Sequence, residues 1–328
     1  MKHQKLGRDI AFLLIILLLV LALLYSGLRV LEATVLRPYR TADTPVETKT
    51  IVRDGVAYFP RQDITTVLVM GIDQYGPAQK SAFYNQAGAA DLDILLIFDE
   101  TNRNCTVLQL NRDTMLEMQA LGLNGKPAGT YYGQLALAHT FGSGLEDSCE
   151  NTVQTISDFL YGIHIDYYVA MHMDAIPILN DAVGGVTVNV TEDFSKVDPE
   201  ITRGRMTLLG QQAITFVRSR KDVGDQMNVS RIQRQREYLD GFSEAFKTKR
   251  ESGTDFLLDA YGQIQPYIIT NLSANAISGM VDRYEEFELG EMLTPEGENV
   301  RGETYMEFYV DEEQLDQLIL RLFYAPKQ

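Results

Sequence analysis

One stretch of the chain, RSRKDVGDQMNVSRIQRQR from Arg218 to Arg236, carries six Lys or Arg residues against two Asp. The whole chain has 29 Lys and Arg against 45 Asp and Glu, a formal net charge of −16. Once the stretch is set aside, 23 basic and 43 acidic residues remain, so positive charge is concentrated where the rest of the chain repels anions. Guanidinium groups bind phosphate oxygens through paired donors and keep their charge. The stretch therefore predicts a local phosphate site or, as the simpler alternative, a solvated helix face paired with surface carboxylates.

The spacing of these arginines predicts that two neighbouring elements supply them. Arg218 and Arg220 are two residues apart and project to the same side if their segment is extended. Arg231, Arg234 and Gln235 fall at i, i+3 and i+4 and share one face of a helix. A loop containing Gly and Asp joins the two elements, which could together enclose a phosphate or pyrophosphate group.

Carboxylates and a further arginine fall at the ends of predicted strands. Asp73 follows the apolar run TTVLVMGI, Asp91 precedes ILLIF, and Arg112 follows TVLQL. Each alone is more often a turn residue or a cap than a ligand. Together they supply carboxylates of the kind that binds Mg²⁺ or Mn²⁺ and an arginine for phosphate oxygens, as metal-assisted phosphoryl transfer requires.

Composition excludes other functions. The net charge of −16 and a pI near 4.7 argue against a general nucleic-acid or anionic-membrane surface, so any anion binding must be local and we expect no nucleic-acid partner. The four histidines and two cysteines show no C-x-x-C or H-E-x-x-H spacing, so the sequence predicts no zinc site. With 328 residues, 45% of them hydrophobic, the chain can form one large domain or two small ones.

The N-terminus predicts attachment to the cytoplasmic membrane. Residues 1–8 carry three basic side chains, and residues 11–28 (AFLLIILLLVLALLYSGL) carry no charge. Such a run can just span a bilayer, and the basic residues before it place that end in the cytoplasm. A cleaved signal peptide is the alternative, but the residues after Ser26-Gly27 fit a cleavage site poorly. We therefore expect a cytoplasmic tail at 1–8, a transmembrane signal-anchor helix at 9–28 and an extracytoplasmic remainder.

The two cysteines, Cys105 and Cys149, leave two interpretations open. Outside the membrane a disulfide between them could persist. Two separate small residues in the core are the alternative, and their spacing does not decide between the two.

The pattern of apolar residues predicts an α/β fold, a single three-layer α-β-α domain with a mixed central sheet. Continuous apolar strands need cover on both faces, which helices supply. The predicted strands are 65–72, 94–98, 106–110 and 186–190, and the predicted helices are 151–161, 174–183 and about 230–247.

The segments that flank these elements have a different composition. Residues 29–48 contain two prolines and predict a short stalk before a domain at 49–250. Residues 251–328 hold 16 acidic against four basic side chains. We expect them to pack on the same domain as an acidic C-terminal extension, and a docking surface for cationic partners is the alternative.

Eight segments in this order resemble the LytR-CpsA-Psr family of Gram-positive cell envelopes. They are TTVLVMGID, ADLDILLIFD, LQLNRDT, QLALAHTFG, IDYYVAMHMDAI, NDAVGGVTVNV, LLGQQAITFVRSR and VSRIQRQR, and they span roughly residues 62–245. The resemblance implies an extracytoplasmic domain that binds a polyprenyl-(pyro)phosphate lipid in an apolar groove. It also implies transfer of a glycopolymer, such as teichoic acid or capsule, from that lipid to a peptidoglycan acceptor, with Mg²⁺ assisting.

The resemblance also implies roles for residues near the strand ends. Asp73 and Asp91 match the family's metal-associated and active-site aspartates, and Arg112 matches the arginine of its R-D motif. Asp91 is the aspartate that we expect to act as the base.

Further matches fall in the arginine-rich stretch. Arg218 and Arg220 match the family's R-x-R pair, which together with Arg112 is expected to bind the pyrophosphate and take part in catalysis. Arg231 and Gln235 match helix residues that face the phosphates, and Asp225 matches a loop carboxylate.

This chain departs from the family pattern at three cations. Many members carry an arginine where Ala89-Ala90 stands, another near Gln74-Tyr75 and a lysine at Gln134. The loss weakens the expected grip on pyrophosphate. Two alternatives to transfer therefore stay open: a polyprenyl-pyrophosphate hydrolase with water as acceptor, and a non-catalytic lipid-phosphate-binding or regulatory envelope protein.

Overall fold

The computed structural model describes residues 50–326 apart from several short gaps. The gaps are residues 54, 220, 225–227, 253–254, 274–275, 277–278, 281–282 and 285–286. The predicted tail, anchor helix and stalk lie outside the described residues. Within the described part of the chain, no helix is both long and apolar enough to cross a bilayer.

Among the described elements, seven strands precede the first α-helix, and helices and strands are mixed after it. The strands are β1 Ile51–Arg53, β2 Val56–Pro60, β3 Ile64–Ile72, β4 Ala90–Asp99, β5 Asn104–Leu110, β6 Met115–Leu121, β7 Pro127–Gln134, β8 Tyr167–His172, β9 Val186–Val190, β10 Gly204–Leu208, β11 Ile268–Thr270, β12 Glu288–Leu293, β13 Gly297–Arg301, β14 Met306–Val310 and β15 Tyr324–Pro326. The α-helices are α1 Glu146–Phe159, α2 Ala175–Ala182, α3 Gln211–Arg218, α4 Asn228–Glu251, α5 Asp255–Ile264 and α6 Glu312–Phe323. Short 3₁₀ turns lie at Leu135–Thr140 and Gln265–Tyr267.

These elements form two compact units. The first, here called the sheet unit, holds the described residues up to His172 together with Ile268–Leu272 and the chain from Gly290 onward. The second, here called the helical unit, holds Met173–Tyr267 and Ser273–Leu289. The domain boundaries at 49–250 and 251–328 stay predictions.

A six-stranded mixed sheet organises the sheet unit. Its strand order is β11-β8-β3-β4-β5-β12. Strand β3 runs parallel to β8 and antiparallel to β4, and β5 runs antiparallel to β4. The expected mixed α/β fold is confirmed. Strand β4 begins at Ala90, earlier than the apolar run alone predicted, so Asp91 and Asp93 lie inside the strand.

The core of the sheet unit is apolar on both faces of β3 and β4. Leu68 in β3 and Leu95 in β4 have no exposed surface. Ile156 of α1 and Ile319 of α6 belong to the same buried cluster as these strands. The C-terminal helix is therefore part of the core of this unit, because α6 presents an apolar face at helical spacing.

The helical unit is built around the β9–β10 ribbon and the long helix α4. Helix α4 extends beyond the predicted 230–247 at both ends. At Gly241 an added Cβ would lie 2.3 Å from the carbonyl oxygen of Thr187, so α4 approaches β9 closely only because this residue is glycine. Gly185 has φ +92, a left-handed backbone that ends α2 and starts the turn into β9.

Candidate functional site

Strands β3 and β4 bring Asp73 and Asp91 to one edge of the sheet unit. The backbone N–H of Asp73 donates to the carbonyl of Ala89 at 2.8 Å. The register of β3 against β4 shifts by one residue at Ile72, which leaves Asp91 as the extra residue of a bulge. A bulge changes the direction in which a strand presents its side chain. The two predicted carboxylates therefore lie on adjacent chain segments at the same edge.

Arg112 links Asp91 to the end of the neighbouring strand β5. Its Nη1 forms an ion pair with Asp91 Oδ1, and its Nε lies 3.5 Å from Asp113 Oδ1. The side chains of Arg112 and Asp91 are 18% and 13% exposed. Partial burial reduces screening by water, so this pair is stronger than a surface pair of the same geometry. The structure thus brings together two residues that the sequence predicted as site partners.

Asp113 and Gln134 extend this contact into the interior. Asp113 is buried, and its Oδ1 accepts a hydrogen bond from Gln134 Nε2 at 2.7 Å. The same amide nitrogen donates to the carbonyl of Met306 at 2.9 Å. From the sequence, Gln134 was notable only because it stands where a lysine was expected. In the structure it is a neutral hydrogen-bond donor to a buried carboxylate. Sequence reasoning missed Asp113, although its position directly beside Arg112 was a usable signal.

The turn that carries Arg112 is fixed by its own hydrogen bonds. Asn111 Oδ1 accepts from the backbone N–H of Asp113 at 3.0 Å, and the Asn111 carbonyl accepts from Thr114 Oγ1 at 2.6 Å. The carbonyl of Arg112 accepts from the N–H of Ala136 at 3.0 Å. The backbone position of Arg112 therefore does not depend on its ion pair.

A third carboxylate, Asp93, lies two residues after Asp91 and was not predicted as a site residue. Asp93 has no exposed surface, and neither carboxylate oxygen has a hydrogen-bond partner within the described part of the chain. Burial raises the pKa of Asp93 well above its usual value, the charge of Asp91 raises it further, and Arg112 opposes them. The fold therefore favours the protonated, neutral form of this acid.

Two buried histidines hold the segment 73–89 between the candidate carboxylates. His172 Nδ1 lies 2.9 Å from the carbonyl oxygen of Gly76, and His139 Nδ1 lies 2.7 Å from that of Gly88. A carbonyl oxygen only accepts, so each ring carries a proton on Nδ1. Burial lowers the pKa of His139 to about 4, which keeps this ring neutral near pH 7. The two rings thus fix the segment close to each of its ends.

The two cysteines are separate thiols, so the disulfide interpretation is wrong for this structure. Cys105 in β5 has its Sγ 3.6 Å from the carbonyl oxygen of Thr106. Cys149 in α1 has its Sγ 3.7 Å from His139 Nε2. Burial raises the pKa of both thiols, which therefore behave as small core residues.

The arginine-rich stretch folds as the end of α3 and the start of α4 in the helical unit. Arg218 is the exposed last residue of α3, so the prediction that it lies on an extended segment is wrong. The helix continues to this point because Ile214 and Phe216 bury an apolar face, and extended backbone begins only at Ser219 (ψ 130). Arg220 and Asp225 lie outside the described residues.

Arg234, left undecided by the sequence, holds the end of α3. Its Nε donates to the carbonyl of Phe216 at 2.9 Å, and its Nη2 donates to the carbonyl of Ser219. Its Nη1 forms an ion pair with Glu192, and its guanidinium carbon lies 5.6 Å from the centre of the Phe194 ring. These contacts use the buried guanidinium for structure, since it satisfies carbonyls that the helix end leaves open.

The two phosphate-facing residues predicted on α4 lie beside Arg234. Arg231 is buried, whereas Gln235 is half-buried and its Nε2 lies 3.4 Å from the carbonyl oxygen of Val217. Their predicted placement on one helix is confirmed, and their contact with a phosphate stays a prediction.

The sheet edge offers oxygen donors suited to a hard cation. Magnesium is commonly bound by one or two carboxylates and completes its shell with water and phosphate oxygens, so Asp73 and Asp91 fit it. A cation there would share Asp91 with Arg112. Within the described residues no group of three or more His, Cys, Asp or Glu is placed to hold a metal.

Known sequences match the chain over most of its length. The model of the LytR_cpsA_psr family matches residues 38–323. A relative from Bacillus licheniformis, named polyisoprenyl-teichoic acid–peptidoglycan teichoic acid transferase TagU, is 24% identical over 273 residues, covering 82% of this chain and 80% of the relative. TagU of Bacillus subtilis strain 168 is 26% identical over 189 residues, covering 58% of this chain and about half (54%) of the relative.

Solved structures share the fold. Protein gbs0355 from Streptococcus agalactiae has a TM-score of 0.63 at 22% identity, covering 79% of this chain and 86% of that chain. TagT bound to LI-WTA has a TM-score of 0.58 at 22% identity, covering 80% of this chain and 90% of that chain. At these identities the likeness shows the fold alone.

The burial of Asp93 predicts a stability that depends on pH. Because the pKa of Asp93 is raised in the folded state, ionisation of this side chain destabilises the folded protein. This loss of stability is absent below the pKa of the unfolded state, which is about 4. Above that pH the loss grows by about 1.4 kcal/mol per pH unit until the pKa of the folded state is reached. We expect Asp93→Asn to be more stable than wild type at pH 7 and equal to it near pH 4, in urea unfolding with EDTA present. Asp91→Asn, which breaks an ion pair, serves as control and should show no gain; equal stability of Asp93→Asn and wild type at pH 7 would contradict the assignment.

Arg234 is expected to act on stability. Arg234→Met removes the partner of Glu192 and the donor to two carbonyls, and should lower the free energy of unfolding by roughly 3–5 kcal/mol. The exposed neighbour Gln233→Met should change it by less than about 0.5 kcal/mol. Chemical denaturation of both variants checks this, and a loss below about 1 kcal/mol for Arg234→Met would rule out the structural role.

Proposed function

This chain belongs to the LytR_cpsA_psr family, and from that membership we propose that it is a phosphotransferase that moves a glycopolymer from a polyprenyl-pyrophosphate carrier to peptidoglycan. Curated relatives are named as teichoic acid transferases, which makes teichoic acid the first polymer to test and capsule or a related polysaccharide the next. The observation that carries the proposal is the Asp91–Arg112 pair at the sheet edge, because it places an acid and a permanent cation where the family's reaction needs both.

The placement in the cell follows from the sequence. Residues 9–28 act as a transmembrane anchor in this proposal, with residues 1–8 in the cytoplasm. The chain after residue 28 lies outside the cytoplasmic membrane and forms a short stalk and a three-layer α-β-α domain. A lipid-linked donor and a wall acceptor both lie on that side. The anchor keeps the enzyme within reach of the donor, since the carrier cannot leave the bilayer.

The proposed reaction exchanges one bond to phosphorus for another. A hydroxyl oxygen of a peptidoglycan sugar attacks the phosphorus that bears the glycopolymer, and the bond from that phosphorus to the bridging oxygen breaks. Polyprenyl phosphate leaves with the electrons of that bond, and the hydroxyl proton passes to Asp91. Arg112, fixed beside Asp91 by its turn, stabilises the negative charge that develops on the phosphate oxygens.

Two carboxylates would hold the metal. Asp73 and Asp91 are the proposed ligands of Mg²⁺, or of Mn²⁺, and the cation would neutralise charge on the pyrophosphate when bound. The hydrogen bonds of His172 and His139 to segment 73–89 support this assignment. They fix the segment that connects Asp73 to Asp91 along the chain.

The helical unit supplies further phosphate ligands in this proposal. Arg218, Arg220, Arg231 and Gln235 would grip the pyrophosphate, with Asp225 as a loop carboxylate. Arg218 is exposed at the end of α3, so solvent and solutes can reach its side chain. A planar guanidinium is suited to two oxygens of one phosphate.

One assay separates the candidate activities. The full-length protein in nanodiscs is mixed with a polyprenyl-pyrophosphate-linked teichoic acid, Mg²⁺ and peptidoglycan fragments. Release of polyprenyl phosphate together with glycan on the acceptor supports transfer. Release without attachment indicates a hydrolase, and tight binding without release indicates a non-catalytic binding protein.

The ion pair at the sheet edge is expected to control turnover. Arg112→Lys keeps a charge but loses the planar fork, and Asp91→Asn loses the base, so each should lower kcat/KM for transfer by roughly 10²–10³. Lys221→Ala, an exposed cation of the arginine-rich stretch, should leave it unchanged. Circular dichroism confirms folding of each variant, and wild-type rates in both site variants would exclude this edge as the reaction centre.

The arginines of the R-x-R pair are expected to be needed for turnover without being needed for folding. Arg218→Ala and Arg220→Ala should each abolish transfer, because a phosphate charge is then left unbalanced. Their thermal midpoints should match wild type, in contrast to Arg234→Met. Near-normal transfer by both variants is the result that would remove them from the site.

A further inference from the structure

Two segments of the sheet unit contain no carboxylate. They are residues 74–89, between β3 and β4, and residues 118–134, which form most of the β6–β7 hairpin. The whole chain carries 45 Asp and Glu among 328 residues, so these two segments are less acidic than the chain as a whole. Each segment instead contains one lysine, Lys80 or Lys126, and both lysines are exposed.

These two segments are in contact. Asn85 Nδ2 donates to the carbonyl of Leu121 at 2.7 Å, which joins the first segment to the hairpin. The Tyr84 hydroxyl of the first segment donates to Asp147 of α1 at 2.9 Å. The segments therefore form one continuous surface that is free of acid along both chains.

The tip of the hairpin is ordered by its own backbone. The N–H of Gly122 donates to the carbonyl of Lys126 at 2.8 Å, and the N–H of Gly125 donates to that of Gly122 at 2.8 Å. Asn124 Oδ1 accepts from the N–H of Lys126 at 3.1 Å. Leu123, at the apex of this tip, is thus presented to solvent by a fixed loop.

The most exposed large apolar side chains of the described residues lie on this surface. Leu123 is 86% exposed and Phe83 is 68% exposed, and Tyr75 on the same segment as Phe83 is 50% exposed. Single exposed apolar side chains are normal on a protein surface. Here they are grouped with two lysines on segments that contain no acid, although Asp147 of α1 adjoins them at the Tyr84 hydroxyl. This combination favours a partner that is apolar and anionic.

We propose that this rim, defined by Tyr75, Lys80, Phe83, Leu123 and Lys126, docks on the surface of an anionic lipid bilayer. Leu and Phe side chains enter the boundary between head groups and acyl chains, tyrosine lies at the level of the head groups, and lysine binds lipid phosphates. A chain of net charge −16 is repelled by such a surface over most of its area, whereas these two segments carry two lysines and no acid.

The rim adjoins the candidate site along the chain. Its first segment begins directly after Asp73 and ends just before Asp91, and His172 and His139 hold it near both ends. Docking this rim would bring the sheet edge to the level at which a lipid-linked pyrophosphate lies. The inference goes beyond the proposed function, and its test below requires no turnover.

Fluorescence gives a direct test, because the chain contains no tryptophan. Phe83→Trp and Leu123→Trp each introduce a single indole into the full-length protein, which is then placed in nanodiscs containing phosphatidylglycerol. Leu209→Trp is the matched control, because it also replaces an exposed leucine. Leu209 is 57% exposed and lies on the helical unit, outside the rim. Lipids brominated on their acyl chains quench an indole that has entered the bilayer.

The expected result is quenching at positions 83 and 123 at least twofold greater than at position 209, with emission shifted to shorter wavelength. Lys80→Glu together with Lys126→Glu, or discs of phosphatidylcholine alone, should reduce that quenching. Equal quenching at all three positions would overturn the proposal. An emission shift that appears when N-acetylglucosamine oligomers are added, but not when lipid is added, would also overturn the proposal. It would indicate that the rim binds a glycan. Circular dichroism of each variant confirms the fold, and the transfer assay on the same samples tests the proposed function separately.

Discussion

The ion pair between Arg112 and Asp91 is the contact on which the sheet edge depends. Arg112 is a cation between two aspartates, since its Nη1 meets Asp91 and its Nε lies 3.5 Å from Asp113. Asp113 is held in turn by the amide of Gln134. Without the guanidinium, the partly buried Asp91 and the buried Asp113 would both lose a cationic neighbour, at a cost in free energy. The same cation that stabilises the edge is therefore the one available to a phosphate.

Burial of Asp93, reinforced by the charge of Asp91, raises its pKa and favours a neutral acid at this position. One arginine balances the charge of Asp91, and the carboxyl group of Asp93, two residues further along β4, has no exposed surface and no donor among the described residues. The fold accepts a protonated acid there in preference to a second buried charge. Such strain is typical of sites where function, and not stability, determines the residue.

Much of the fold and part of the site could be predicted from the sequence. Continuous apolar runs identified β3, β4 and β5, and their ends correctly placed Asp73, Asp91 and Arg112 together, because neighbouring strands meet at a common edge. The pairing of Arg234 with Glu192 could not be predicted, since these residues are distant in sequence and only tertiary packing joins them. The extended conformation expected at Arg218 was wrong because the apolar face of α3 continues to that residue. Asp93 was missed because an acid inside an apolar strand gives no periodic signal.

The coupling between Asp91 and Arg112 in the transfer reaction tests the central claim most directly. A double-mutant cycle compares Asp91→Asn, Arg112→Gln and the variant carrying both, with kcat/KM for glycopolymer transfer as the measured quantity. If the two side chains act as one unit, the double variant should be no slower than the slower single variant. If the two losses in rate multiply, the residues act independently, and the account of a shared site at this sheet edge is contradicted.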